Sequence, residues 1–227
     1  METLRQVLSR PEFYLPPAFD LCAVFFFSIT GAVAALRRGY DWVGLFTLAF
    51  VTGLGGALMR DGLFLQEGPP ALTRDGRYLV AVLAGCVVGG WWGGWIERFP
   101  RAVAVLDAIG LGAYSVVGVS KSLATGLSVP AAILVGVINA SGGGLLRDVI
   151  VREEPLMLKP GQFYALASLL GCVLFAALTR SGGMPATAGA LISIAAVFVL
   201  RMLAILLNWR TGAVQIWREG NSDPPSG

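Results

Sequence analysis

Seven stretches of the chain are almost wholly apolar, and polar residues collect between them. A membrane-spanning helix needs about 20 mostly apolar residues. That length selects helices over roughly 17–36, 42–65, 77–97, 104–125, 129–151, 162–180 and 186–208. The stretches are not independent. The segments TGLGGALMRD (Thr52–Asp61) and NASGGGLLRD (Asn139–Asp148) end on the same Arg-Asp pair, and aligning them gives an offset of 148 − 61 = 87 residues. Gly55, Gly56, Arg60 and Asp61 then fall on Gly142, Gly143, Arg147 and Asp148. The same offset places Asp20 on Asp107, Ser28 on Ser115, Gly31 on Gly118 and Asp41 on Ser128, the last pair both suited to a helix N-cap. Helices three and six match at an offset of 86, Tyr78 on Tyr164 and Gly85-Cys86 on Gly171-Cys172. Matches over so many positions mark an internal repeat.

Each repeat holds three helices, an odd number, so the second enters the membrane from the opposite side. The fold class is therefore an all-α membrane protein of seven transmembrane helices. Repeat one covers 17–97 and repeat two 104–180, related as an inverted pair; the seventh helix, 186–208, and a polar tail over 210–227 lie outside them. Glycine weakens a helix interior, and glycine pairs are an accepted cause of kinks. Helices two and five are therefore expected to be kinked, even broken, near Gly53–Gly56 and Gly142–Gly144. The plainer role for these glycines is close helix packing. Helix three carries Gly85, Gly89 and Gly93 at four-residue spacing, which reads as close packing within one subunit, with a subunit interface as the alternative. Helix seven shows no evident chemistry, and its Arg201 is expected to snorkel to the interface.

Composition agrees with the spans. Of 227 residues, 56% are hydrophobic and 14% charged, against about 25% charged in a soluble domain. The mean hydropathy is +0.71. The net charge of +3 is spread along the chain and does not indicate a nucleic-acid partner. Histidine is absent, which removes His proton relays, His metal sites and Ser-His-Asp catalysis. With no nucleophile–base set the reading is not an enzyme, and no metal or cofactor is implied. Cys22, Cys86 and Cys172 sit singly in apolar runs and read as space-filling thiols. The first residues lack the apolar core of a cleavable signal peptide. Lys and Arg in loops and ends number five on the N-terminal side (Arg5, Arg10, Arg74, Arg77, Arg180). On the other side they number eight (Arg37, Arg38, Arg98, Arg101, Arg152, Lys159, Arg210, Arg218). That bias favours an outside N-terminus and a cytoplasmic C-terminus. Trp42, Trp91, Trp92, Trp95 and Trp209 lie near helix ends, where an aromatic belt sits.

Charges inside a membrane are expensive and face a partner or a watery cavity. Arg60 and Asp61 are neighbours, about 100° apart on a helix, so cross-pairing between repeats is expected: Arg60 with Asp148, Arg147 with Asp61. These four charges either lock the repeats together or flank a pathway. Backbone at Gly53, Gly55, Gly56, Gly142, Gly143 and Gly144, with Thr52, Asn139 and Ser141 beside it, can replace part of a cation's hydration shell. Ser28, Ser115 and Ser120 are further candidates for the same path, although a lone hydroxyl more often bonds its own helix. Asp107, Tyr114 and Lys121 are seven residues apart on one face of helix four. The repeat partner of Lys121 is Ala34, so this lysine breaks the symmetry and is a candidate gating charge or an interfacial lysine. Asp20 and Asp107 lie near helix starts, where capping is the simpler role.

The paired GGALMRD and GGGLLRD motifs, in two three-helix repeats followed by a seventh helix, resemble the trimeric intracellular cation (TRIC) channels over roughly residues 15–208. The resemblance is to the bacterial and archaeal branch, often labelled by a glycine-transporter domain. It implies a homotrimer with one pore per subunit between the repeats. It also implies conduction of monovalent cations, mainly potassium, and basic residues on helix four tied to voltage response, a location that Lys121 matches. The Lys-Glu-Val segment associated with phosphoinositide binding in animal members is absent here. The expectation is a passive potassium channel in a bacterial inner membrane, in contact with membrane lipids. The alternative is a secondary transporter for a small solute such as glycine, since inverted repeats serve transporters equally.

Overall fold

Apolar length and the turn residues around it fix where the helices begin and end. The computed structural model describes residues 13–96, 98–99, 101–159, 163–180 and 183–209. Arg5, Arg10, Arg210 and Arg218 of the charge count, and the 210–227 tail, lie outside the described residues. Among the described residues the structure is all-α, with seven long helices. These are α1 (Pro17–Arg37), α2 (Trp42–Met59), α3 (Arg77–Ile96), α4 (Ala102–Ala124), α5 (Val129–Ile150), α6 (Tyr164–Arg180) and α7 (Ala186–Leu206). Six are long and apolar enough to cross a membrane, counting α2 with the turn that continues it to Leu65, and α6 is a shorter apolar helix. The chain is thus an integral multi-pass membrane protein. Asp41 caps α2, accepting the Gly44 N–H at 2.8 Å, whereas Ser128 holds the same place before α5 without such a bond. Gly39 and Gly126, again 87 residues apart, take positive φ (68° and 86°) in the tight α1–α2 and α4–α5 turns.

Successive helices alternate in direction. The face where α1 starts, here the first face, also holds the ends of α2, α4 and α6. The second face holds the ends of α1, α3, α5 and α7. The described tryptophans Trp42, Trp91, Trp92, Trp95 and Trp209 are all exposed and lie at helix ends on the second face. α1 packs on α2, α3 and α4; α4 packs on α1, α5, α6 and α7. Phe27 and Tyr114 stack at the α1–α4 contact with ring centroids 5.5 Å apart, and they are themselves 87 residues apart. α3 presents its glycine stripe to α1: a Cβ on Gly85 would lie 2.6 Å from Ser28 Cβ, and one on Gly89 2.5 Å from Ala32 Cβ. The stripe therefore packs within the subunit, the plainer of the two readings of its spacing.

The expected breaks in helices two and five are not there. Both stay helical through their glycines, and the irregular turn of α2 comes later, as a π-helical segment at Arg60–Leu65. The glycines instead let α2 and α5 cross in contact. A Cβ on Gly56 would run into the Asn139 carbonyl, and one on Gly143 into the Thr52 carbonyl, the same contact shifted by 87 residues. Gly142 meets Gly56, and Gly55 meets Gly143 and Leu146. Arg201 also departs from expectation. It is 2% exposed, and its guanidinium lies 4.8 Å from the centre of the Tyr164 ring. It sits about a turn and a half from the end of α7, a helix that packs on α4 and α6, and it is enclosed there instead of extending outward.

Gly143→Val should lower stability by about 3 kcal/mol or more, because its neighbour is backbone that cannot yield. Gly94→Ala, with nothing within 4 Å of the new methyl, should stay within about 0.5 kcal/mol of the parent. Unfolding of purified protein in detergent checks both, and equal effects would discount the crossing.

Candidate functional site

Two buried charge clusters lie at opposite ends of the α2–α5 crossing. In the first, the end of α2 supplies Arg60 and Asp61, α1 supplies Asp20, α3 supplies Tyr78 and α4 supplies Lys121. Arg60 is fully buried. Its Nε donates to the neighbouring Asp61 Oδ1 at 2.7 Å, and its Nη atoms reach the two Asp20 oxygens at 3.4 and 3.5 Å. The second contact is an ion pair at the long end of hydrogen-bond range. Asp20 Oδ2 also accepts from Tyr78 Oη at 2.7 Å and from Lys121 Nζ at 2.6 Å. Asp61 uses its other oxygen to accept the Ala71 N–H at 3.1 Å, tying the α2–α3 loop to the cluster.

The second cluster repeats the pattern on the other face. Arg147 Nε donates to Asp148 Oδ1 at 2.8 Å, and Nη1 lies 3.4 Å from Asp107 Oδ1. Asp148 Oδ2 accepts the Leu156 N–H at 3.0 Å, and Tyr164, the repeat partner of Tyr78, is buried beside Gly144. Each helix end closes with the same backbone bond, Gln66 N–H to Asp61 O at 3.0 Å and Glu153 N–H to Asp148 O at 2.8 Å.

The expected cross-pairs, Arg60 with Asp148 and Arg147 with Asp61, are not formed. The arginine stem is long enough for Nε to turn back on the adjacent aspartate while the guanidinium end continues to α1 or α4. Each half thereby neutralises its own arginine. The halves are joined by subtler bonds: Arg60 Nη1 to Asn139 Oδ1 at 3.3 Å, Arg147 Nη1 to Thr30 Oγ1 at 3.0 Å, and Lys121 to Asp20. Asp20 and Asp107 are not caps; they are the buried counter-charges of the two arginines. Sequence reasoning assigned no role to Thr30 or to the two tyrosines. The alignment of Tyr78 with Tyr164 was a usable signal, whereas Thr30 aligns with Val117 and gave none.

Between the clusters lies a layer that is polar but closed. Asn139 Nδ2 donates to Tyr114 O at 2.7 Å, and the Tyr114 hydroxyl donates to Gly53 O. Thr52, Ser115 and Ser141 bond carbonyls four residues back on their own helices, at 2.6 to 2.7 Å. Ser115 also meets Ser168, and Ser120 donates to Phe13 O. Ser28 is buried against Gly53 and Gly85, and Gly144 lies beside the Tyr164 hydroxyl. The proposed path residues are thus brought together, with most hydroxyls turned to backbone.

Cavities approach this layer from both faces. On the first face one of about 480 Å³ is lined by Asp61, Glu67, Arg74, Tyr78 and Lys121. A neighbour of about 170 Å³ reaches Asp20, Ser120 and Lys121. On the second face a cavity of about 150 Å³ is lined by Thr30, Ala34, Arg37, Arg147 and Asp148. Asp20 and Thr30 are ten residues apart on α1, so roughly 15 Å of protein separates the two vestibules.

The family described as "Glycine transporter" matches residues 17–92 and 104–180. Among curated relatives, a "UPF0126 membrane protein" of Deinococcus radiodurans is 33% identical over 153 residues, 67% of this chain and 71% of that protein. The "UPF0126 inner membrane protein YadS" of Escherichia coli is 29% identical over 187 residues, 82% of this chain and 89% of that one. Among solved structures, the TRIC trimeric intracellular cation channel orthologue from Rhodobacter sphaeroides superposes with a TM-score of 0.79 at 32% identity, covering 84% of this chain and 97% of its own. A second, described under conductance through TRIC cation channels, gives 0.77 at 29%, covering 89% and 98%.

Because a buried ion pair broken on one side leaves an uncompensated charge, Asp20→Ala should cost about 3–5 kcal/mol. Removing both partners, Asp20→Leu with Arg60→Met, should cost less than the two single changes summed. A double-mutant cycle on unfolding free energies measures this, and plain additivity would mean that the two side chains do not act as a pair.

Proposed function

Since the chain belongs to the Glycine transporter family and has the fold of the TRIC cation channels, we propose that it is a passive, non-enzymatic channel for monovalent cations, potassium foremost. The pathway runs through each subunit between repeat one, 17–97, and repeat two, 104–180, with 186–208 as the added helix. The subunits assemble as a homotrimer in contact with membrane lipids. The protein lies in a bacterial inner membrane with its first face outside and its C-terminus cytoplasmic.

The observation that carries this reading is the pair of vestibules, each ending on a buried Arg–Asp cluster, with a polar septum between them. Carbonyls of α2 and α5 at Thr52, Gly53 and Asn139, with the Ser28 and Ser115 hydroxyls, are the groups available to a dehydrating cation there. Gly55, Gly56, Gly142, Gly143 and Gly144 allow the helices to approach and slide. Ser141 lies beside the crossing. The septum is closed in this structure, so conduction requires α2 and α5 to shift at their glycine contact. Arg60, Asp61, Arg147 and Asp148 hold the helix ends around the pathway.

Lys121 is the proposed gating charge. It is about one-third exposed in the first-face vestibule and pairs with Asp20, so it can leave that carboxylate for water. A full traverse of the field is worth about 2.3 kcal/mol per 100 mV. The family's label favours a second reading, a secondary transporter for glycine.

Purified protein in planar bilayers under a potassium gradient should give unitary steps reversing near the potassium equilibrium potential. Silent bilayers with gradient-driven uptake of labelled glycine into liposomes would replace the channel by the transporter. Lys121→Gln should flatten the voltage dependence of opening while unitary conductance persists; an unchanged open-probability curve would remove Lys121 from gating.

A further inference from the structure

We propose that Arg201, on the helix outside the repeats, is the second cation of the second charge cluster and holds it in place, as Lys121 does for the first. This rests on the geometry and not on the channel reading.

The first cluster contains two carboxylates, Asp20 and Asp61, and two cations, Arg60 and Lys121. It is neutral. Within the repeat, the second cluster pairs two buried carboxylates, Asp107 and Asp148, with one buried cation, Arg147, while the exposed Arg37 and the part-exposed Lys159 line the cavity at its rim. The position equivalent to Lys121 is Ala34, which lines the second-face cavity beside Arg147 and Asp148. Counting buried groups of the repeat alone, the second cluster is one positive charge short, and an excess buried charge is costly. Arg201 supplies the missing charge. It is among the largest fully buried side chains of the described residues, and it lies over the Tyr164 ring at 4.8 Å. Tyr164 is itself buried, with its hydroxyl turned toward α5. The same hydroxyl and the Arg147 guanidinium both border Gly144, 3.2 and 3.8 Å from where its Cβ would stand. A continuous set therefore runs from α7 through α6 to α4 and α5.

The two balancing cations differ in one respect. Lys121 is part-exposed and faces a vestibule, whereas Arg201 is sealed between α4, α6 and α7. Arg201 is a positioning residue: it acts on Asp107 and Arg147 through Tyr164 and the shared low-dielectric interior.

Repeat symmetry supplies the test. Lys121 reaches Asp20 from α4, so a lysine at position 34 reaches Asp107 from α1. Thermal midpoints are measured in detergent for Arg201→Met, Ala34→Lys and the double variant. Arg201→Met should lower the midpoint by about 5 °C or more, and Ala34→Lys alone should also lower it by adding a fifth charge. The double variant should return to within about 2 °C of the parent, a rescue that a packing role for Arg201 does not produce. If Arg201→Met alone is not recovered folded, recovery of the double variant is the same rescue. A neutral or stabilising Arg201→Met, or a double variant as poor as the sum of the singles or unrecoverable, overturns the proposal.

Discussion

The structure depends on one constraint: an arginine placed within a membrane must be neutralised within reach of its own side chain. Both Arg60 and Arg147 meet it in the same way, with Nε on the adjacent aspartate and the guanidinium end on an aspartate 40 residues earlier. That second aspartate lies on the first helix of the same repeat, so the pair fastens the end of α2 to the start of α1, and the end of α5 to the start of α4. The neighbouring aspartate spends its other oxygen on a loop N–H, which fixes the rim of each vestibule. Rim, helix ends and counter-charges are therefore one unit on each face.

The middle of the molecule is held differently. There α2 and α5 touch largely through backbone, glycine against carbonyl, with Leu146 and Met59 packed over the outer glycines. Helices in lipid gain little from apolar burial against each other, and close backbone approach is the main source of their attraction. Such a contact has few interlocking side chains to resist sliding, Leu146 and Met59 being the ones against the glycines. Rigid charge clusters at the two ends and a smooth crossing at the centre concentrate any movement in the septum.

Most of the architecture was legible because lipid removes alternatives: with no water for the backbone, apolar length alone locates helices. The 87-residue offset then located the second half from the first. What was not legible were contacts that depend on side-chain reach. Helical angle alone argued against an Arg60–Asp61 bond, yet a flexible four-atom stem makes that angle irrelevant. The glycines at 53–56 and 142–144 signalled either a broken ladder or close contact, and only a partner helix decides between them. Arg201 shows the same limit, since its distance from the helix end allowed snorkelling until α4 and α6 enclosed it. Asp20 and Asp107 sat near helix starts, where a capping role and a buried counter-charge read alike in sequence.

The short sixth helix has a consequence for the surrounding bilayer. At 17 residues, α6 spans roughly 26 Å, less than the ~30 Å hydrocarbon core, and it shows Leu166, Leu169, Leu170 and Val173 to the outside. A span this short is met by local thinning, by snorkelling of its flanking residues or by contact with another subunit, whereas α3 and α7 are long enough to need none of these. This hydrophobic mismatch makes one flank of each subunit sensitive to acyl-chain length, and membrane thickness becomes a force acting on α6 and on the Tyr164 it carries at its end.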